Sequence, residues 1–222
     1  MATLFIVATP IGNLQDITYR AVQVLQQVSL IACEDTRQTR KLCQHYGVAK
    51  PLKVVDKHQE IASINAIVAQ LDQDADVALV SDAGTPLVHD PGALLVRAVL
   101  AAGHQVSPIP GPSAVISALC ASGFAADNFV FVGFLPPKKG TLEAALTQLL
   151  SEHRTMVFYE APHRIEQTVA FMCAIFGGDR QVVLAREITK MHEEFVRGDL
   201  QTLQKQLASG AVIVKGLSLI HI

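Results

Sequence analysis

Three short strand-like runs, the first two strongly apolar, each stopped by a tight loop rich in Gly and Pro, constrain this chain more than any other feature. Thr3 to Ala8 runs into Thr9-Pro10-Ile11-Gly12-Asn13, Val77 to Val80 into Ser81-Asp82-Ala83-Gly84-Thr85-Pro86, and Gln105 to Ile109 into Pro110-Gly111-Pro112-Ser113. Runs this short and this apolar predict buried strands. Between them the period changes to that of a helix. Ile17, Ala21, Val24, Leu25 and Val28 mark one helical face, with Asp16 as its expected N-cap, and Ile61, Ile64, Ile67, Val68 and Leu71 mark another. Leu30 to Cys33 and Lys53 to Val55 read as further strands, and Asp90-Pro91 and Pro112 as helix starts. Such alternation predicts an α/β fold with a mainly parallel sheet and helices on its faces.

The rhythm breaks between Ala121 and Gly140, where Gly123, Gly133, Pro136, Pro137 and Gly140 cluster. This places an N-terminal α/β domain at 1–120, a junction at 121–140 and a second α/β domain at 141–216. In the second domain, helices are expected at Leu142–Leu149 and Ile165–Phe176, and after an Asp199 cap. Strands are expected at Thr155–Tyr159, Gln181–Ala185 and Ala211–Val214. Residues 217–222, Leu-Ser-Leu-Ile-His-Ile, match one reading frame of a common transposon-derived sequencing adapter. They are expected to be a non-native tail that packs poorly or substitutes crudely for a strand, leaving the second domain incomplete.

The 222 residues are half apolar, enough for a large core. No run approaches the ~20 apolar residues of a membrane helix, and the N-terminus reads as a strand rather than a signal peptide. Cys33, Cys43, Cys120 and Cys173 are dispersed without a C-x-x-C pair, as in a reduced cytoplasmic protein. With 18 Lys and Arg against 20 Asp and Glu, the chain does not hold nucleic acid by bulk charge, although a local basic surface is compatible with this balance.

In a parallel sheet, the three loops gather at the carboxyl edge of the strands, where ligands bind. There is no P-loop and no G-x-G-x-x-G, so phosphate cradling is unsupported and a nucleoside without phosphates, such as S-adenosyl-L-methionine, fits better. Glu34-Asp35-Thr36-Arg37, after the second strand, offers polar groups to a substrate at the same edge. It also has the make-up of a capped helix start. His58-Gln59-Glu60 stands before the Ile61 helix, and His192-Glu193-Glu194 lacks the spacing of a zinc motif, so no metal is expected. In Phe158-Tyr159-Glu160-Ala161-Pro162-His163-Arg164, Tyr159 could pack on adenine and Arg164 could meet a phosphate or carboxylate. Arg37, Arg40, Lys41, Lys138, Lys139, Arg186 and Lys190 could guide RNA phosphates if their loops converge.

Taken in order, TPIGNLQDITYRA, EDTRQT, LVSDAGTPLVHDPG, PIPGPSAVISAL, FVGFLPPKKG, FYEAPHR and AREITKMHEEFVRGDL resemble the ribosomal RNA methyltransferases of the tetrapyrrole-methylase class. The resemblance implies two α/β domains, with a mainly parallel sheet in the first and a mixed sheet in the second. It implies S-adenosyl-L-methionine in the cleft between them, and a cytoplasmic homodimer with no membrane or DNA partner. It also implies methyl transfer to the 2′-oxygen of a decoding-centre cytidine in 16S rRNA of the small ribosomal subunit. Carried over by motif, the cofactor would touch Pro10, Ile11, Gly12, Asn13, Asp82, Ala83, Gly84, Thr85, Gly111, Ser113, Ala114 and Tyr159, and the substrate Glu34, Arg37, Arg186 and Lys190. The family usually has Asn at Gln59 and Ser at Ala161, and follows Lys-Gly with Glu where Leu217 stands here.

A ribose hydroxyl is a poor nucleophile at neutral pH, so orientation and proton removal carry the burden. Asp35, His58 and Glu60 are the candidate bases. Two rivals remain at this stage: a tetrapyrrole C-methyltransferase acting on a precorrin or uroporphyrin precursor, and a non-catalytic nucleotide-binding protein.

Overall fold

The computed structural model describes residues 2–55, 60–213 and 216–222, with the side chains of residues 60 and 61 outside it. The chain divides into two compact units, Met1–Ser113 and Ala114–Ile222.

In the first unit, β1 (Thr3–Val7), β2 (Leu30–Cys33), β3 (Leu52–Val54), β4 (Val77–Val80) and β5 (Gln105–Ile109) form one sheet in the order β3-β2-β4-β1-β5, with every pairing parallel. Among the described residues four helices cover it: α1 (Tyr19–Gln27), α2 (Thr36–His45), α3 (Glu60–Leu71) and α4 (Ala93–Ala101). Side chains on a strand alternate faces. Ala78 and Val80 of β4 therefore pack with Leu25 and Cys43 on the α1/α2 side, while Val77 and Leu79 pack with Ile67 and Leu95 on the α3/α4 side. Burial on both faces explains the unbroken apolar runs.

Two helix starts differ from the sequence reading. Asp16 does not cap α1. Asn13 caps a short 3-10 turn at Leu14–Asp16, Ile17 is extended, and the Thr18 side chain accepts from the Ala21 N–H. At α4 the N-cap is Gly92 rather than Asp90. Its φ of 126° and the close approach of Leu79, 2.7 Å from where a Cβ would stand, require glycine there.

The second unit opens with α5 (Ala114–Ser122), followed by β6 (Phe129–Phe134), α6 (Lys139–Gln148), β7 (Thr155–Glu160), α7 (Ile165–Phe176), β8 (Gln181–Arg186), β9 (Glu194–Asp199), α8 (Leu200–Ala208) and β10 (Ser218–His221). The division falls ahead of the expected junction because α5 packs on β8 and β10, and Arg197 donates to the Ala121 and Ser122 carbonyls at its C-terminus. The sheet is mixed, in the order β6-β7-β10-β8-β9. Strands β6 and β7 run parallel, and β10 runs antiparallel to both its neighbours. Asp199 caps α8 by accepting from the Thr202 N–H.

The last strand is not where the sequence placed it. Ala211–Ile213 is irregular, because the Ala211 and Val212 N–H groups close the end of α8 on the Gln206 carbonyl; Val214 lies outside the described residues. Residues 218–221 instead form the centre of the sheet. Leu219, Ile220 and Ile222 are buried, as are Ser218 and His221, and Ser218 Oγ and both His221 ring nitrogens have no hydrogen-bond partner among the described residues. Burial lowers the His221 pKa to about 4, with the Val183 main chain opposing only part of that shift.

Candidate active site

The loops after β1, β4 and β5 meet at the carboxyl edge of the first sheet. Thr9 and Gly84 exchange main-chain hydrogen bonds of 2.9 Å in both directions, and the Thr9 hydroxyl donates to the Ser81 carbonyl at 3.2 Å. The Thr85 hydroxyl reaches the Pro112 carbonyl at 3.0 Å. These contacts follow from the sheet order, because β1 lies between β4 and β5 and their three loops are neighbours.

The glycines serve the packing of loop on loop. Gly84 has φ 82°, and a Cβ there would stand 3.3 Å from Ile11 Cγ2; a Cβ on Gly111 would stand 3.0 Å from that of Ala8. No Lys or Arg occurs in Thr9–Asn13, Ser81–Pro86 or Pro110–Ser113. An edge of main-chain groups with one carboxylate, Asp82, fits a phosphate-free nucleoside bearing a sulfonium charge. Ala114, which follows the third loop, opens α5 in the second unit.

At the end of the neighbouring strand β2, Asp35 is the N-cap of α2. Its carboxylate accepts from the Arg37 N–H at 2.7 Å and from the Arg37 guanidinium at 2.7–3.1 Å. The Arg37 side chain, then its N–H, holds the Asp35 pKa down to about 2. The Asp35 N–H in turn donates to Asp82 Oδ1 at 3.1 Å. Asp82 moves the other way: partial burial raises its pKa, opposed by that N–H and assisted by the Asp35 charge. Two adjacent carboxylates thus have their proton affinities pushed apart, a feature the sequence strings do not reveal. Exposed Glu34 precedes this pair. His58 lies outside the described residues, and Glu60 is described only as the first residue of α3.

In the second unit, Tyr159 is 8% exposed and packs edge-on to Phe131, with ring centroids 5.0 Å apart, and beside Phe134 at 5.3 Å. Arg186 pairs with Glu194 across β8 and β9, and Lys190 pairs with Glu187 at 2.9 Å in the connection between those strands. Glu187 and Thr189 in that connection hold positive φ of 50° and 66°. Arg164, read from sequence as a ligand contact, is engaged within the protein. It ion-pairs with fully buried Glu160 at 3.4 Å and donates to the Leu135 and Pro136 carbonyls, while Glu160 also accepts from Thr168 at 2.6 Å and from the Ala161 N–H. A buried carboxylate needs such partners, and Arg164, the N-cap residue of α7 across the turn that follows β7, supplies the cation. No group of His, Cys, Asp and Glu among the described residues could hold a metal ion.

The structure aligns over 99–100% of its length with crystal structures of uroporphyrin-III C-methyltransferase from Thermus thermophilus. In one, the TM-score is 0.68 at 17% identity, covering 94% of that chain, and in another it is 0.66 at 16% identity, covering 97%. At such identity the likeness is one of fold. The sequence model of the Tetrapyrrole (Corrin/Porphyrin) Methylases matches residues 3–204, and the chain belongs to that family. It is therefore an S-adenosyl-L-methionine-dependent methyltransferase. Among its curated relatives, proteins named Ribosomal RNA small subunit methyltransferase I are 50% identical in Xylella fastidiosa, 47% in Haemophilus influenzae and 44% in Bacillus subtilis. These matches span 93%, 96% and 90% of this chain and 76%, 75% and 68% of the relatives.

Proposed function

We propose that this chain methylates the 2′-oxygen of a decoding-centre cytidine in 16S rRNA within the small ribosomal subunit. We also propose that it works in the cytoplasm as a homodimer. The observation that carries the reading is the 44–50% identity to ribosomal RNA small subunit methyltransferases over at least nine-tenths of the chain. No described helix is long and apolar enough to cross a membrane.

In this reading Pro10–Asn13, Asp82–Thr85, Gly111, Ser113, Ala114 and Tyr159 would hold the cofactor, which when bound would supply an electrophilic methyl group on a sulfonium whose leaving group is a neutral thioether. No acid is needed for the leaving group. The chain's task is to orient the ribose hydroxyl and take its proton. Asp35, held as an anion by Arg37, is a poor proton acceptor and serves to fix Arg37 near the substrate with Glu34. Proton removal falls to His58 or Glu60, and Arg186 and Lys190 steady the RNA.

The test is methyl transfer from labelled cofactor to under-methylated small subunits, with the modified nucleotide identified. A 2′-O-methylcytidine in 16S rRNA is expected. Label on a uroporphyrin precursor and none on RNA would turn the reading to a tetrapyrrole C-methyltransferase, and cofactor binding without transfer to either would turn it to a non-catalytic protein.

A further inference from the structure

The chain as a whole is slightly acidic, yet α2 carries Arg37, Arg40, Lys41 and His45 with no acidic residue between Thr36 and His45. The helix buries Thr39 and Cys43 against the sheet, which turns Arg37, Arg40, Lys41 and Gln44 outward, all exposed. These positions are spaced i, i+3, i+4 and i+7, and so share one face with neighbouring Cβ atoms about 5–6 Å apart. Arg37 is tied to Asp35, whereas Arg40, Lys41 and Lys50 have no acidic partner among the described residues. Arg40 and Gln44 line one wall of an open groove whose other wall carries Lys50, with Val48 and Pro51 between them. Strand β3, just beyond Lys50, is the edge of the sheet, so among the described residues no further strand lies on that side. The helix starts at the Asp35–Asp82 contact, so this basic face leads directly away from the candidate active site.

We propose that the exposed face of α2, with Lys50 across the groove, is a contact surface for the phosphodiester backbone of the RNA substrate, on nucleotides flanking the methylated one. The inference rests on the RNA reading above and adds where the RNA lies. Local cations without partners on an otherwise acidic protein are complementary to phosphate, and fixed positive charge on a surface groove holds a polyanion without reading its sequence.

The experiment measures binding of the whole chain to a fluorescein-labelled single-stranded RNA across a salt series, for wild type, Arg40→Gln/Lys41→Gln, and the same double variant with Lys50→Gln. A control variant, Arg97→Gln/Lys205→Gln, removes two exposed charges elsewhere. Each phosphate contact on a single strand contributes about 0.7 to the slope of log affinity against log salt. The double variant is expected to lose about 1.4 from that slope and Lys50→Gln about 0.7 more. The control should keep the wild-type slope, and all variants should keep the wild-type affinity for S-adenosyl-L-methionine. Charge-conserving Arg40→Lys/Lys41→Arg should restore RNA binding. Wild-type slope and affinity in the double variant, or an equal loss in the control, would overturn the proposal. RNA binding with the expected slopes but no methyl transfer to small subunits by the wild type would overturn the functional reading and leave the surface standing.

Discussion

Replacing His221 by Leu should stabilise the protein, and do so most in mild acid. His221 is the last residue of β10, with no solvent exposure; among the described residues neither ring nitrogen makes a well-formed hydrogen bond, and only the Val183 main chain lies near enough to favour its charged form. Its pKa, about 4 in the fold, lies below the ordinary 6.5. The unfolded chain therefore binds a proton between these values that the folded chain refuses, and stability falls as pH drops from about 6.5 through about 4. At about 1.4 kcal/mol per pKa unit the loss is about 3 kcal/mol, complete once the folded imidazole also protonates. At neutral pH, removing two unsatisfied polar atoms from the core adds about 1–3 kcal/mol. Urea unfolding of wild type and His221→Leu at intervals from pH 4 to 7.5 measures both parts. The two curves should separate in favour of the variant at pH 7 and diverge by about 3 kcal/mol on acidification. Parallel curves, or a wild type more stable at every pH, would refute the reasoning.

Ser218→Ala, which removes the other unpartnered polar atom of β10, should raise stability by about 1 kcal/mol in the same assay at neutral pH. Arg164→Met should destabilise by about 3–5 kcal/mol, because it strands the fully buried Glu160 carboxylate; thermal unfolding reads this directly. Gly84→Val puts a branched side chain at φ 82° against Ile11, so the folded variant should bind S-adenosyl-L-methionine at least about 10-fold more weakly by calorimetry. Asp35→Ala frees Arg37 and should reduce turnover on small subunits far more than cofactor affinity, a split visible in steady-state kinetics.

The parallel half was readable because its signals are local. Val77–Val80 is apolar at every position as both faces of β4 are covered, and the loops at Thr9, Ser81 and Pro110 carry their own turn chemistry. Where two caps competed, as Asp16 against Thr18 or Asp90 against Gly92, the outcome depended on backbone angles and on Leu79, which no local pattern shows. Strand β6 was hidden because Gly133 within it, at a register shift, reads as a loop residue, and β9 because Glu194, Arg197 and Asp199 dilute its apolar alternation. The site behaved in the same way. The loop cluster follows from strand order, but the opposed proton affinities of Asp35 and Asp82 and the capture of Arg164 by Glu160 arise only from tertiary contact.

The order β6-β7-β10-β8-β9 has a consequence for how the second unit comes into being. The strand that joins its two halves follows β6, β7, β8 and β9 in the sequence. Until residues 218–221 emerge, β7 and β8 each present an open edge lined by Val157, Phe158, Val183 and Leu184, which end up fully or almost fully buried. Open apolar edges are templates for pairing with other chains. During synthesis the first unit can close on its own local βα order, while the second waits as a split sheet.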